Sequence, residues 1–211
     1  MMRRREFVAV LLCAWLLTAC DRLPKPTPIA PEAIVVAFGD SVTYGTGAAA
    51  GEDWPSRLAG LSGWTVVNAG VPGDTAERAR DRIEAVLTQY QPALVVIEIG
   101  GNDFLRRRPQ AAVKDDVRRI IQSVRQSGAQ AVLVAVPQLS LFGVLSGAKS
   151  DAPLYRELAR EEGVPLVEAV FSEILSRPEL CADQIHPNAE GYRKMAATIY
   201  AFLAQTPKGA D

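Results

Sequence analysis

The chain has 211 residues, 48% of them apolar, and a formal net charge of −1. That length and apolar content suit one domain with a substantial core. The near-cancelled charge gives no sign of the strongly basic character usual in nucleic-acid binding, and no nucleic-acid partner is expected.

The first twenty residues differ from the rest. Arg3, Arg4 and Arg5 precede an apolar run over residues 7–17, and Leu17-Thr18-Ala19-Cys20 follows. A positive segment, a short apolar run and small residues in this order form a secretory signal over residues 1–19. The run is too short to favour a membrane-spanning helix. Leu-x-Ala-Cys resembles the bacterial lipoprotein lipobox, which implies cleavage before Cys20 and diacylglyceryl attachment to its sulfur. A plain signal peptide with an incidental cysteine is the alternative. Asp21 beside the modified cysteine resembles the pattern of inner-membrane retention. The expected location is the bacterial cell envelope, lipid-anchored on the periplasmic side. Cys13 leaves with the signal and Cys20 carries lipid, so Cys181 is the lone mature thiol and no internal disulfide is expected. Pro24, Pro26, Pro28 and Pro31 forbid a helix over residues 21–33. Such a stretch leans to polyproline II at ~3.1 Å per residue, a semi-rigid tether over residues 20–32. The domain is expected over 33–206, with a tail at 207–211.

From residue 33 the pattern alternates. An apolar run of strand length covers 34–38, a short helical pattern 54–61, and a second strand 64–67. Asp74-Thr75-Ala76-Glu77 has capping-box spacing, and an arginine-rich amphipathic helix runs on to about Tyr90. Residues 93–99 form the strongest strand. A helix over 109–127 ends at Gly128, a strand covers 131–136, and a helix over 153–162 closes at another glycine. A short strand at 165–167, a brief helix near 171–175 and a final helix over 189–203 complete the chain. Continuous apolar strands separated by helices predict a parallel sheet covered on both faces. The expected fold is therefore α/β: a three-layer α/β/α sandwich around a doubly wound, flavodoxin-like sheet of five parallel strands. Ligands in such sheets bind outside the carboxyl ends of the strands.

Gly39-Asp40-Ser41 lies at the first of those ends. Gly45-Thr46-Gly47-Ala48-Ala49-Ala50 fits a dinucleotide loop by composition, but six residues separate it from the strand. The second strand also lacks the acid that would hold a ribose. A serine nucleophile needs a base, an orienting group and oxyanion donors. The chain has one histidine, His186, in "CADQIHPNAEGY", with Asp183 three residues before it. Taken alone, His186 reads first as a surface histidine of a polar loop. "NAGVPGDT" follows the second strand and "GGNDF" the third, offering glycine N–H groups and an asparagine amide.

Gly-Asp-Ser, Pro-Gly-Asp-Thr, Gly-Gly-Asn-Asp and Asp-Gln-Ile-His-Pro, in this order and at these places, resemble the SGNH (GDSL) hydrolase family. The nearest likeness is to bacterial periplasmic arylesterases, thioesterases and lysophospholipases. The resemblance implies that Ser41 is the nucleophile, His186 the general base and Asp183 its orienter. It implies an oxyanion hole made by the N–H groups of Ser41 and Gly73 and the amide of Asn102. Asp40 is expected to cap or brace the nucleophile loop. Val42 stands where the family motif usually carries leucine. The implied reaction is hydrolysis of acyl esters or thioesters of broad specificity, with a small-molecule substrate, no cofactor, no metal and a monomeric enzyme. The loop over 137–147 is apolar, and Leu139, Leu141, Phe142 and Leu145 are its expected acyl-binding residues. A carbohydrate O-deacetylase, or a non-catalytic envelope lipoprotein of the same fold, stands as the alternative.

Overall fold

The computed structural model describes residues 23–138 and 149–205. Five strands form one all-parallel sheet in the order β2-β1-β3-β4-β5. They are β1 (Ile34–Gly39), β2 (Thr65–Gly70), β3 (Leu94–Glu98), β4 (Gln130–Val134) and β5 (Leu166–Val167). The helices are α1 (Ser41–Tyr44), α2 (Trp54–Ser62), α3 (Ala76–Tyr90), α4 (Gly101–Leu105), α5 (Gln110–Gln126), α6 (Pro153–Glu162), α7 (Val170–Leu175) and α8 (Ala189–Leu203). The expected doubly wound three-layer sandwich is the fold observed.

The sequence dictates the layering. β1 and β3 read as unbroken apolar runs because helices cover both faces, and Val35 to Phe38 and Leu94 to Ile97 are buried. The chain reverses direction across the sheet after β2, so α2 and α8 pack together on one face and α3, α5 and α6 follow one another on the other. Each helix turns a periodic apolar stripe inward: Ala76, Ala79, Ile83 and Leu87 on α3, and Val113, Val117, Ile120, Ile121 and Val124 on α5. The apolar side chains of β1 alone withdraw several kcal/mol worth of surface from water, at roughly 1.5–3 kcal/mol each for the larger ones.

The structure corrects three local expectations. β2 runs on through Asn68, Ala69 and Gly70, which pair with Ala37, Phe38 and Gly39; ladder bonds to β1 outweigh the turn preference of Asn and Gly. "GGNDF" is not a loop: Gly101 opens α4, with the Phe104 N–H bonded to the Gly100 carbonyl. The cap of α3 is Thr75, whose hydroxyl accepts from the Arg78 N–H at 3.4 Å. Asp74 is free to bind arginine instead: its carboxylate accepts from Arg82 Nε at 2.7 Å.

The proline-rich stretch does not stand off from the domain. Pro26 is buried, and Leu23 and Ile29 pack against the core. The Thr27 N–H donates to Gln130 Oε1 at 3.0 Å, and Gln130 Nε2 donates back to the Thr27 carbonyl at 3.1 Å. Gln130 opens β4, so this strap is held at the amino edge of the sheet, opposite the ends that carry the sequence motifs. Cys20 and Asp21 lie outside the described residues, as do Leu139, Leu141, Phe142 and Leu145.

Candidate active site

β1 ends at Gly39 because nothing larger fits there. A Cβ on Gly39 would stand 2.1 Å from the Glu98 carbonyl and 2.2 Å from Thr43 Oγ1. The chain turns at once into the one-turn helix α1. Asp40 caps it, its Oδ1 accepting from the Val42 N–H at 3.0 Å. Ser41 is thereby the first helical residue, and its N–H has no intrahelical acceptor.

The loop before α8 carries the histidine. Asn188 caps α8 by accepting from the N–H groups of Glu190 and Gly191, and its own amide donates to the Glu179 carbonyl at 2.9 Å. The Ala182 N–H bonds the His186 carbonyl at 2.9 Å, closing residues 182–186 into a tight turn. Asp183 Oδ1 sits inside that turn and accepts from the N–H groups of Ile185 and His186, both at 2.8 Å. Its Oδ2 is left to meet His186 Nδ1 at 2.8 Å. The other ring nitrogen, Nε2, lies 2.9 Å from Ser41 Oγ, 145 residues away in sequence. Burial alone would raise the Asp183 carboxyl, but the bonds from the His186 ring and from the two N–H groups outweigh it and hold it below its ordinary value. An ionised Asp183 fixes the ring proton on Nδ1 and leaves Nε2 to accept.

The second glycine cluster also has its reason here. A Cβ on Gly47 would stand 2.6 Å from the Pro187 carbonyl and 2.7 Å from Ala182 Cβ. Gly47 lets the loop after α1 press against the histidine turn, and its φ of +99° suits glycine alone. Tyr192 fastens the same contact, its hydroxyl donating to the Thr46 carbonyl at 2.7 Å.

Asn102, on α4, donates through Nδ2 to the Asp74 carbonyl at 2.9 Å and to Asp40 Oδ2 at 3.3 Å. The shallow depression beside Ser41 is lined by Asp40, Val42, Asn102, Leu105, Phe171, Ile185 and His186, among others, and holds about 20 Å³. Gly73 is not among the lining residues. Its carbonyl accepts from Arg106 Nη2 at 3.2 Å, which ties its loop to the end of α4.

Sequence reasoning missed what lies beneath Ser41. Glu98 is wholly buried at the end of β3 and accepts from Thr43 Oγ1 at 2.8 Å; its Oε1 has no partner among the described residues. Burial and the nearby Asp40 push its carboxyl well above the ordinary range, which favours its neutral form. Burial likewise raises Asp40 to about 7, against the pull of the Val42 N–H and His186. Asp74 and Asp103, also buried, have arginine partners in Arg82 and Arg108. Arg82 also donates to the Gly39 carbonyl at 2.9 Å and lies 4.1 Å over the Phe38 ring. One signal was available: Glu98 is a lone acid inside an otherwise apolar strand.

A sequence model of the GDSL-like Lipase/Acylhydrolase family matches residues 37–194. The chain belongs to this family. It is 33% identical over 159 residues to "Thioesterase 1/protease 1/lysophospholipase L1" of Escherichia coli (strain K12), covering 74% of this chain and 76% of that protein. It is 29% identical over 196 residues to "Esterase TesA" of Pseudomonas aeruginosa, covering 90% and 97% respectively. A solved structure described as "Crystal Structure of TesA" superposes with a TM-score of 0.71 at 27% identity, over 81% of this chain and 98% of that one. Like these relatives, this GDSL-like protein is a carboxylic ester hydrolase.

Proposed function

We propose that this GDSL-like hydrolase transfers acyl groups from esters and thioesters to water through Ser41, His186 and Asp183. The observation that carries the reading is the unbroken hydrogen-bond chain from Ser41 Oγ through both imidazole nitrogens to Asp183. His186 Nε2 takes the Ser41 proton as Oγ bonds to the acyl carbon. The oxyanion collects donors from the Ser41 and Gly73 N–H groups and from Asn102 Nδ2. The longer contact of Asn102, to Asp40, is the one an oxyanion would replace. Collapse breaks the bond to the alcohol or thiol, which leaves with the proton from Nε2. Water then gives its proton to Nε2, attacks the acyl carbon, and the carboxylic acid leaves as Ser41 regains its proton. Each oxyanion donor contributes about 2.7–4 kcal/mol to the rate.

Acyl chains lie along the wall formed by Leu105, Phe171 and Ile185. The stem of the apolar loop stands beside that wall: Lys149 Nζ donates to the carbonyls of Leu175 and Gln184. Each methylene buried there is worth up to ~0.8 kcal/mol, so short-to-medium acyl esters are preferred over acetyl esters, with broad tolerance for the leaving group. The enzyme is anchored in the bacterial envelope by lipid on Cys20. The test is catalytic efficiency on nitrophenyl esters of increasing length, thioesters, lysophospholipids and acetylated sugars. Wild type is compared with Ser41→Ala and with Phe142→Ala/Leu145→Ala. Activity surviving in Ser41→Ala defeats the mechanism. A clear preference for acetylated sugars, or a length profile untouched in the double variant, defeats the acyl assignment.

A further inference from the structure

We propose that the amino edge of the sheet is a membrane-facing surface, with a phospholipid bilayer as its partner, and that Ser41 opens away from it. This rests on the reading of Cys20 as the lipidated residue and goes beyond it by fixing the orientation.

The strap carries the argument. Thr27 is bonded in both directions to the side chain of Gln130 at the foot of β4. The chain then crosses below the sheet to Ile34 at the foot of β1, and Ala33 accepts from the Thr65 N–H at the foot of β2. Upstream of Thr27 the chain stays on the domain, with Pro26 buried and Leu23 half-buried against the core. Only Asp21 and Arg22 lie between Cys20 and Leu23, three chain steps that span at most about 11 Å. The twelve-residue spacer that the prolines suggest is therefore mostly spent on the domain surface. A diacylglyceryl group on Cys20 draws this edge to the headgroups.

The edge has chemistry suited to that contact. Ile34 and Leu61 are 36% and 47% exposed there. Trp64, just before β2, meets Tyr200 edge-on with ring centroids 6.3 Å apart. Half-buried Trp and Tyr with exposed aliphatics are the side chains that settle at a membrane interface. The strap's own charges, Lys25 and Glu32, offset one another, so the contact is apolar rather than electrostatic and tolerates salt.

The carboxyl edge is the competing face, because Tyr44, Val71 and Leu105 are exposed around Ser41. Strands of six residues put that rim about 20 Å from the amino edge, and the strap's side-chain bonds among the described residues go to Gln130 at the opposite edge. The apolar rim is left to the substrate. It follows that esters reach Ser41 from the aqueous compartment, not from the leaflet that holds the anchor.

The experiment uses the full chain, processed in a bacterial host and reconstituted into phosphatidylethanolamine–phosphatidylglycerol vesicles with an acceptor dye on the headgroups. Cys181→Ser removes the free thiol. A donor dye is placed through Gln126→Cys, at the amino edge, or through Tyr44→Cys, beside Ser41. Energy transfer at least twofold greater from position 126 is expected, and ten Gly/Ser residues inserted between Arg22 and Leu23 should abolish the difference. Equal or reversed transfer with a lipidated Cys20 overturns the orientation and leaves the anchor standing. The mass of the N-terminal peptide separates the two failures: an unmodified Cys20 defeats the anchor, and this proposal with it.

Discussion

Asp183 and Asp40 both flank the Ser41–His186 pair, yet their surroundings drive them in opposite directions. Asp183 sits in an exposed turn, its side chain 54% accessible, and three donors hold its carboxyl below the ordinary value. Asp40 is buried against Glu98, and desolvation lifts both. The turn gains from charge; the layer beneath Ser41 carries charge as a cost. Neutralising a carboxylate should therefore harm the first region and relieve the second.

The largest effect tests whether the two regions serve one centre. Ser41→Ala and His186→Ala should each fold and lose on the order of 10⁴–10⁶ in kcat. Retained activity in a folded variant would uncouple the site from both regions. Next comes Asp183→Asn, which removes the charge that fixes the ring proton. A buried orienting aspartate is worth about 10⁴-fold; water screens Asp183, so a drop of roughly 10²-fold is expected. An undiminished kcat would show that the turn orients the ring without its carboxylate.

Gly47→Ala presses on the same turn from behind. Its Cβ would overlap Pro187 and Ala182, at a left-handed φ, and such strain costs on the order of 1–3 kcal/mol. The thermal midpoint should fall and kcat should fall with it, while KM changes little. An unchanged midpoint would show that the contact is loose.

The smallest effect concerns the buried pair. Asp40 has a folded value of about 7 against an unfolded value of 3.8. Between about pH 5 and 7 the native state keeps a proton that the unfolded chain has released. Stability therefore falls as pH rises through this window, at up to about 1.4 kcal/mol per unit for each such proton. Carboxylates with lowered values, such as Asp183 and Glu161, are ionised in both states here and add no slope. The thermal midpoint should be several degrees lower at pH 7.5 than at pH 5.5, and Asp40→Asn and Glu98→Gln should each flatten the slope. Asn keeps the cap on α1, so Asp40→Asn should fold normally. A midpoint that climbs with pH would reverse the comparison.

The sheet was legible because its strands are buried on both faces and read as apolar runs at any distance from their partners. The ends of α6 were legible because Pro153 and Gly163 act locally. Ser41, Asp183 and His186 stood out as motif residues, and their convergence is a matter of topology that a parallel sheet guarantees. What lies beneath them was not legible. Thr43 finds Glu98 55 residues away, and Asp103 receives the Ala76 N–H across 27; such pairings depend on register. The helix at Gly101 was hidden by glycine's preference for turns, which packing overrode. The strap was hidden because proline signals what a segment cannot form, while the burial of Pro26 is decided by its neighbours.

The Ser41–His186 bond spans nearly the whole domain: β1 supplies one partner and the turn before α8 the other. Between them every other strand of the sheet must be laid down, and only then does the last helix dock. Non-local closures of this kind form late, because loop entropy is lost before the contact rewards it. A newly made chain thus has helices before it has a reactive serine. The enzyme is its own folding sensor: esterase activity should appear with the slowest tertiary phase of refolding and lag the far-ultraviolet signal.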